Sequence, residues 1–368
     1  MAQRPGPADP AQAPTGTRYA RLGLFLPSIL LLAVALLWTA AWFWIRDRAG
    51  SEMDGWLASE AAAGRTWTCA DRSISGYPFR IELRCASLSF ARSDSRFTLG
   101  PLTVLVQVYQ PRHGLLQASG PFRVEQGDLK ADATWTSLQA SFHGASDGFV
   151  RASLAVDGVK GNIVGAAPDP VAFGAEHLEF HARPTPGRFA SDGAVDVSLR
   201  LARALAPVVD PLIGNADPAD IALDATINRA AGLRTGRVAE ELDEWRRAGG
   251  GIDIALLSLV KGERKVQARG NLGLDEGHRP TGQLDVRAAG LEALIAGAMG
   301  QRFGADRGAM IGNLVGQLLG GVRRPPNAAE TEAPGDPALK PLPPLRLADG
   351  RLLLGPIPIP NVRLPALY

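Results

Sequence analysis

Two hydrophobic patterns follow one another along this chain. The first is an apolar run, LGLFLPSILLLAVALLWTAAWFWI, which covers residues 22–45 without a charged side chain. About 24 helical residues with a rise of about 1.5 Å each span about 36 Å, more than the roughly 30 Å hydrocarbon core of a bilayer. The run therefore predicts a transmembrane helix that anchors the protein.

The far end of this run is aromatic. Trp38, Trp42, Phe43 and Trp44 lie where an anchor would meet the membrane–water interface, a position that such rings favour. A cleaved signal peptide is the alternative, but its apolar region spans only about 7–15 residues and ends in small side chains. Residues 46–64 keep a helical composition, so we expect the helix to continue beyond the membrane until Gly64 ends it.

The second pattern begins after residue 64 and has the period of strands. In Phe79–Cys85 apolar and charged residues alternate, which is typical of a strand with one buried face. Beyond Cys85 the phase reverses, so that Leu88 and Phe90 share the buried face, and this reversal predicts a bulge or a bend. The alternation recurs at positions 150–156, 178–180, 195–201, 221–227, 252–256, 266–274 and 284–286.

Repeated one-sided alternation is the signature of antiparallel sheets with one face in solvent. The chain has no βαβ rhythm, so we do not expect a parallel sheet. We predict a mainly β fold: an N-terminal transmembrane helix followed by a large curved antiparallel sheet, with a few short packing helices near residues 237–247 and 290–320.

The remaining segments differ in composition. Residues 1–21 include a Pro- and Ala-containing tail that we expect to be disordered, and residues 65–322 form the β-rich body. Residues 323–344 are again rich in Pro and Ala and predict a linker. Residues 345–368 regain the apolar alternation and predict C-terminal strands that return to the body, with prolines confining the last part to an edge.

Charge and motifs exclude several functions. With 39 basic and 37 acidic residues, the chain lacks the concentrated basic surface of a nucleic-acid-binding protein. It has no serine in a G-x-S-x-G setting, and no Walker or G-x-G-x-x-G element follows a strand. We therefore expect neither an enzyme nor a cofactor, and we assign no catalytic or metal-binding residues.

One cluster suggests a metal site. His177, Glu179 and His181 alternate on one face of a predicted strand. At about 3.3 Å per residue the two histidines lie about 13 Å apart, too far to share one ion on a straight strand. We interpret the cluster as the polar face of an ordinary amphipathic strand.

The only cysteines, Cys69 and Cys85, lie in two adjacent strand-like runs. We expect a disulfide, which persists in an oxidising compartment; two buried reduced thiols are the alternative. Because arginines flank the anchor equally on both sides, the cysteines decide its orientation. We predict a single-pass protein of a bacterial inner membrane, with its N-terminus in the cytoplasm and its body in the periplasm.

Two further segments are candidate interaction surfaces. Glycine recurs at every fourth residue from 300 to 320, which on a helix forms a smooth groove that includes Gly304, Gly308, Gly312 and Gly316. Packing of helices within the chain, or contact with a partner or a membrane surface, would both use such a groove. Residues 205–213, which end in Leu212 and Ile213, are apolar despite two prolines and form either a buried loop or an exposed lip.

The segment Gly76–Leu83, together with Cys85, resembles an alphaproteobacterial family catalogued as domain of unknown function 2125. The closing stretch Asp349–Ile357 is similar to the same family, and the resemblance runs from the anchor to the end of the chain. It implies an envelope protein with an N-terminal hydrophobic segment and supplies no catalytic residues. More loosely, an anchor followed by one-sided β structure is similar to AsmA-like envelope proteins, which use a curved sheet with an apolar concave face.

These observations lead to one expectation and two alternatives. We expect a membrane-anchored periplasmic protein that binds or handles a lipid or another amphiphile in cell-envelope maintenance. The first alternative is a non-catalytic envelope assembly or scaffold protein that binds another protein through the glycine groove or the 205–213 lip. The second, a hydrolase built from scattered polar residues, is the least favoured.

Overall fold

A computed structural model describes residues 18–146, 148–165, 169–205, 207, 210, 216–233, 238–290 and 339–368. These residues form one large antiparallel sheet and an N-terminal apolar helix, which confirms the predicted fold class. The helices are α1 (Arg18–Ala62), α2 (Phe189–Asp192) and α3 (Val238–Arg247). The strands before residue 165 are β1 (Thr66–Ala70), β2 (Ser73–Ser75), β3 (Arg80–Cys85), β4 (Ser87–Arg92), β5 (Ser95–Leu99), β6 (Leu102–Gln107), β7 (Gln110–Ala118), β8 (Phe122–Gln126), β9 (Leu129–Thr134), β10 (Ser137–Ala145) and β11 (Gly148–Val164).

The later strands continue the same sheet. They are β12 (Val171–Pro184), β13 (Val195–Ala204), β14 (Ala219–Ile227), β15 (Ile252–Lys261), β16 (Arg264–Leu274), β17 (Pro280–Ala289), β18 (Lys340–Pro341), β19 (Leu345–Ala348), β20 (Arg351–Leu354) and β21 (Ile357–Arg363).

The helix α1 is continuous from Arg18 to Ala62 and contains Pro27. Its segment Phe25–Ala62 includes a stretch that by length and composition can cross a membrane. The helix begins earlier than the predicted span at residue 22 and so takes in part of the expected tail. Its C-terminal half runs beside the first strands, where the Arg72 guanidinium contacts the Asp54 carboxylate at 2.6 Å. The helix therefore covers an edge of the sheet that would otherwise be free to pair with another chain.

The first part of the sheet, residues 66–164, is an antiparallel meander with a crease across it. Below the crease β2, β3, β6, β7 and β10 pair in that order, and we call them the proximal arm. Above it β1, β4, β5, β8 and β9 pair in the same way and form the distal arm. Both arms join β11, whose first half pairs with β10 and whose second half pairs with β9.

The crease lies where the chain passes from one arm to the other. At each passage only a few residues separate a strand of the proximal arm from the next strand of the distal arm, or the reverse. Only Ala86 separates β3 from β4, at the position where the phase of the hydrophobic pattern reverses, so the predicted bend is present. Gly100 and Pro101 separate β5 from β6, and Gly100 leaves no room for a side chain, because a Cβ there would meet the Gly120 carbonyl oxygen at 2.6 Å. Within β11 the turn is made by Gly158, whose φ of +62° suits glycine.

The second part, β12 to β21, is a single antiparallel layer in which successive strands pair from β12 to β17. The short strands β18 and β19 both pair with β17, and β20 and β21 follow β19 in order. Registers shift within four of these pairs, for example between Asp224 and Ala225, and such bulges increase local twist. The last strand, β21, carries Pro358 and Pro360 and pairs with β20. Proline suits an edge because it has no backbone N–H to donate.

One boundary differs from the expectation, and one predicted helix falls outside the described residues. The predicted linker, residues 323–344, ends earlier than its composition suggests, since Leu339 is buried and Lys340–Pro341 pairs with β17. Pairing with a neighbouring strand overrides the local preference of prolines for extended, unpaired chain. The helix expected near 290–320 and the remainder of the linker lie outside the described residues, whereas α3 lies where a helix was expected near 237–247.

Candidate functional site

Strand registers align apolar side chains into one continuous row across the sheet. Each member of the row pairs with the next one on the neighbouring strand, from β3 in the proximal arm to β17 in the single layer. The row consists of Leu83, Val104, Leu116, Ala140, Leu154, Phe180, Leu199, Leu223, Leu257, Ala268 and Val286. Eleven strands at about 4.8 Å spacing give this row a length of about 48 Å. We call the face that carries it the apolar face.

The opposite side of the same strands is polar. The residues that precede or follow the row by one position point the other way, because side chains alternate along a strand. They form their own aligned row, Arg84, Thr103, Gln117, Gln139, Ala155, Glu179, Arg200, Ala222, Ser258, Gln267 and Arg287. The contrast shows that the registers keep the two faces separate over the whole width of the sheet.

Burial along the apolar row is uneven. Ala268 and Val286, at the C-terminal end, are buried in a core that also contains Ala225, Ile254 and Leu284. The other nine members of the row are only half-buried. At the other end of the row, Val104 and Leu116 pack against a second core around Cys85. The apolar face is therefore packed towards both ends and partly accessible between them.

The disulfide lies on the inner side of the crease. Cys69 in the distal arm is bonded to Cys85 in the proximal arm, with their Cα atoms 5.2 Å apart. Around it, residues of both arms pack against one another, among them Leu88, Leu102 and Ala118. The apolar faces of the two arms thus turn towards each other, and the expected disulfide is present at the point where they meet.

Aromatic rings line the apolar face of the distal arm. Trp67, Phe90 and Phe97 form cross-strand neighbours, with ring centroids 4.7 Å apart for Trp67 and Phe90 and 5.3 Å apart for Phe90 and Phe97. Trp56 of the helix packs on Trp67 at 5.7 Å, so the aromatic row continues onto α1. Sequence alternation identified Phe90, but the row as a whole depends on register and was not predicted.

Two indoles of the anchor fasten it to the turn between β2 and β3. The Trp38 indole N–H donates a hydrogen bond to the Pro78 carbonyl oxygen at 2.9 Å. The Trp42 indole N–H donates to the Arg80 carbonyl oxygen at 3.0 Å, and Trp42 is buried. These two residues were expected to form an interfacial belt; the structure gives both of them contacts with the body as well.

Some of the other residues at this end of the helix contact the body, and others are exposed. The hydroxyls of Thr39 and Tyr77 are hydrogen-bonded at 2.8 Å, and the Phe43 ring stacks on Tyr77 with centroids 6.4 Å apart. Trp44 is 69% exposed. Thr39 and Tyr77 were not singled out as site residues from the sequence, although Tyr77 lies in the uncharged turn that carries the family resemblance.

The polar face carries a hydrogen-bonded cluster on β10, β11 and β12. His177 contacts Asp157 at 2.6 Å through Nδ1 and Glu179 at 3.0 Å through Nε2. Hydrogen bonds to Glu179 and Asp157 raise the pKa of His177, and the hydrogen bond from His177 lowers the pKa of Glu179. His181 instead bonds Ser153, with its Nδ1 3.0 Å from the hydroxyl. Among the described residues no group of three or more His, Cys, Asp or Glu side chains could hold a metal ion.

A cavity of about 650 Å³ lies beside this cluster, over β11 to β15. Polar side chains such as Arg151, Arg183 and Asp196 line it, and the Arg183 guanidinium is 3.3 Å from the Asp196 carboxylate. His181 and Ser153 form part of the same wall. Two other charged side chains of the lining contact residues outside it: Asp224 lies 2.8 Å from the Arg200 guanidinium, and Arg151 lies 3.4 Å from the His143 imidazole.

Most of the predicted interaction surfaces lie outside the described residues. This holds for the glycine groove with Gly304, Gly308, Gly312 and Gly316, and for Leu212 and Ile213 of the lip. Within the 205–213 segment Asp210 is described, and its carboxylate contacts the ammonium of the buried Lys261 at 2.8 Å. This ion pair joins the segment to the end of β15 and had no signal in the hydrophobic pattern.

The fold and these contacts define a class of protein: a long antiparallel sheet with one apolar and one polar face, attached along its first strands to a helix that can anchor it in a membrane. The chain belongs to a bacterial family described as an uncharacterized protein conserved in bacteria (DUF2125), whose sequence model matches residues 42–363. The match includes the whole sheet and the C-terminal half of α1 from Trp42 onward. Comparisons with curated proteins and with solved structures gave no match.

Proposed function

We propose that this protein binds a lipid or another amphiphile along the apolar face of its sheet, and that it does so in maintenance of the cell envelope. One observation carries the proposal: the apolar row crosses eleven strands without a polar interruption, and nine of its members are only half-buried. Soluble proteins rarely expose contiguous apolar patches larger than a few hundred Å², and larger patches usually mark interaction sites.

The position of the face supports a ligand that comes from a membrane. The row begins in β3, and Arg80 at the start of that strand contacts the anchor through Trp42. An acyl chain that leaves the bilayer beside the anchor therefore meets the first apolar positions, Ile81 and Leu83, directly. Burial of apolar surface is worth about 25 cal/mol per Å², so contact along several strands suffices for affinity.

The proposed compartment is the periplasm, with the N-terminus in the cytoplasm. The disulfide between Cys69 and Cys85 supports an oxidising environment for the body. The anchor helix supports a location at the inner membrane.

The proposal is one of binding without catalysis. The pair that most resembles a nucleophile and its base is Ser153 and His181, which lies on the polar face, away from the proposed ligand. His181 Nε2 is 3.7 Å from the Glu179 carboxylate, too long for the hydrogen bond that orients a catalytic imidazole.

A photo-crosslinking experiment tests the proposal. The photoreactive residue p-benzoylphenylalanine replaces Leu116 or Leu199 on the apolar face of the full-length protein in its native membranes. The matched control is Gln117, which follows Leu116 in β7 and points to the polar face. We expect lipid-mass adducts at positions 116 and 199 and none at 117.

Two outcomes overturn the proposal. The first is an absence of lipid adducts at both apolar positions, or equal adducts at position 117, which would show that lipid contact is unrelated to the apolar face. The second is a stoichiometric protein adduct at positions 116 and 199 in place of lipid. That result would favour the alternative of an envelope assembly or scaffold protein.

A further inference from the structure

The turn between β2 and β3 contacts the anchor at the level where the anchor is still uncharged. This turn, residues 76–79, which we call the tip, accepts the Trp38 indole N–H at the Pro78 carbonyl oxygen (2.9 Å). Trp38 lies seven residues before Ile45, the last residue of the uncharged run. At about 1.5 Å per residue the contact lies about 10 Å along the helix towards the membrane interior from the end of that run.

The tip has the composition of a membrane-contacting segment. Residues 73–79 carry no charge, and charged side chains return only at Arg72 on one side and Arg80 on the other. On the helix the first charge after the span is Arg46, four residues beyond Trp42, whose indole N–H bonds the Arg80 carbonyl oxygen. Measured along the axis of the helix, the uncharged part of the tip and the uncharged part of the helix therefore end at nearly the same height.

The aromatic side chains of the tip lie beside rings of the anchor and stay largely exposed. Tyr77 is 52% exposed and Phe79 is 60% exposed, while Pro78 lies between them. At this level of the helix Leu36 and Leu37 are exposed as well. In water these side chains together would form an uncovered apolar surface, whereas at a membrane interface Tyr and Phe have a favourable place.

The next turn of the proximal arm continues this surface. The Val108 N–H donates to the Phe79 carbonyl oxygen at 2.9 Å, which holds the β6–β7 turn against the tip. Tyr109, at that turn, is exposed, and residues 107–110 are also uncharged. The aromatic surface therefore extends sideways from the anchor along one edge of the sheet.

We propose that the tip inserts into the lipid leaflet beside the anchor and forms a second membrane contact of this chain, with the acyl-chain and headgroup boundary as its partner. The hydrogen bonds to Trp38 and Trp42 fix the tip to the helix, so the leaflet holds the body at two points and sets its orientation. The insertion depends on the helix crossing the membrane and is independent of whether the apolar face holds a ligand.

A depth measurement tests this inference. The two native cysteines form a disulfide, so a single introduced cysteine can be labelled selectively with the polarity-sensitive fluorophore NBD. The label is placed at Phe79→Cys or, as the matched control, at Ser93→Cys in the exposed β4–β5 turn of the distal arm. The full chain is reconstituted into phosphatidylethanolamine–phosphatidylglycerol vesicles.

We expect the label at position 79 to fluoresce several-fold more strongly than the label at position 93, with quenching by nitroxide on lipid acyl chains and protection from aqueous iodide. The label at position 93 should show the reverse. Equal iodide quenching at both positions overturns the inference, and so does a position-79 label protected from both quenchers, which would mean burial against protein.

Folding and independence are controlled within the same design. Retention of the native disulfide and of wild-type protease resistance identifies a folded variant, and if F79C fails this check the label is placed at Tyr77 instead. Lipid crosslinking at positions 116 and 199 is measured separately. If the label on the tip is exposed to water while positions 116 and 199 crosslink to lipid, only this inference is overturned. If the label on the tip lies in the membrane while positions 116 and 199 do not crosslink to lipid, only the proposed function is overturned.

Discussion

The described strands β1 to β11 and the described strands β12 to β21 both form antiparallel sheet with one apolar face, but the two parts bury that face in different ways. The first part folds along a crease, so that the apolar faces of its two arms pack against each other around Cys69–Cys85. The second part remains one layer across β12 to β17, and its buried positions gather at the C-terminal end around Leu284 and Val286.

The difference shows how one sheet can have a packed region and an accessible one. Folding a sheet on itself removes apolar surface from water without a second layer of helices. In this chain, Gly or Pro is present at several of the points where a strand passes across the crease. Where the sheet stays single, the apolar positions between the two cores remain half-buried. The half-buried region between the two cores is the part of the face best placed for the proposed ligand.

The largest expected effect comes from the C-terminal core. Leu284→Ala removes a buried side chain and should lower the free energy of unfolding by about 2–5 kcal/mol. Leu199→Ala, at a half-buried position of the row, should cost roughly half as much because less surface is lost. Denaturant unfolding in detergent measures both, and equal losses would contradict the proposed difference in packing.

The next effect concerns the crease. Replacing both cysteines by alanine opens a loop with a sequence separation of 16 and should lower stability by about 3 kcal/mol. Hydrogen exchange should accelerate in β1 to β11 and stay nearly unchanged in β14 to β17. Uniform acceleration throughout would show instead that both parts unfold as one unit.

A smaller effect is expected at the contact between the anchor and the tip. Trp42→Phe keeps an aromatic side chain but removes the indole N–H and its hydrogen bond to the Arg80 carbonyl oxygen, a loss of about 1 kcal/mol for the hydrogen bond. Amide exchange in the β2–β3 hairpin should rise about fivefold, because it follows local opening. Trp44→Phe is the control, since Trp44 is exposed, and an equal rise there would refute a specific role for Trp42.

The smallest effect is a pH dependence of the polar face. The pKa of His177 is raised by Glu179 and Asp157, so its protonated form stabilises the folded chain. This contribution is complete below the ordinary histidine pKa of about 6.5 and is lost as pH rises through the higher folded value. Because the side chains are exposed, we expect only a slight fall in Tm between about pH 6 and 8.

The variant His177→Gln isolates this effect. Its Tm should change less than that of the wild type over the same pH range, while Leu199→Ala on the other face should keep the wild-type dependence. An unchanged pH dependence in His177→Gln would remove His177 as the cause.

The sequence was most informative about local structure. Alternation located the strands from β11 to β17, and the phase reversal after Cys85 located one bend, because both features depend on neighbouring residues alone. The anchor followed from hydropathy. The disulfide followed from the presence of only two cysteines in adjacent strands.

The crease and the docked tip could not be predicted in the same way. Gly100–Pro101 and Gly120–Pro121 have the composition of ordinary turns. Only the pairing of the strands before and after them shows that the chain passes from one arm into the other there, without reversing its direction. The Trp38–Pro78 contact joins residues 40 positions apart and depends on the path of the first strands back along the helix. The Lys261–Asp210 pair likewise depends on tertiary position.

The pairing of each long strand with its neighbours along the chain also bears on how the protein is made. Folding is fast when contacts are close in sequence, since little chain entropy is lost in closing each loop. In the proposed topology, a chain held by its first helix can add one strand after another to the growing edge as it emerges on the far side of a membrane. Each newly added strand then covers the edge that the previous one had left open, which limits the time during which unpaired backbone could capture another chain.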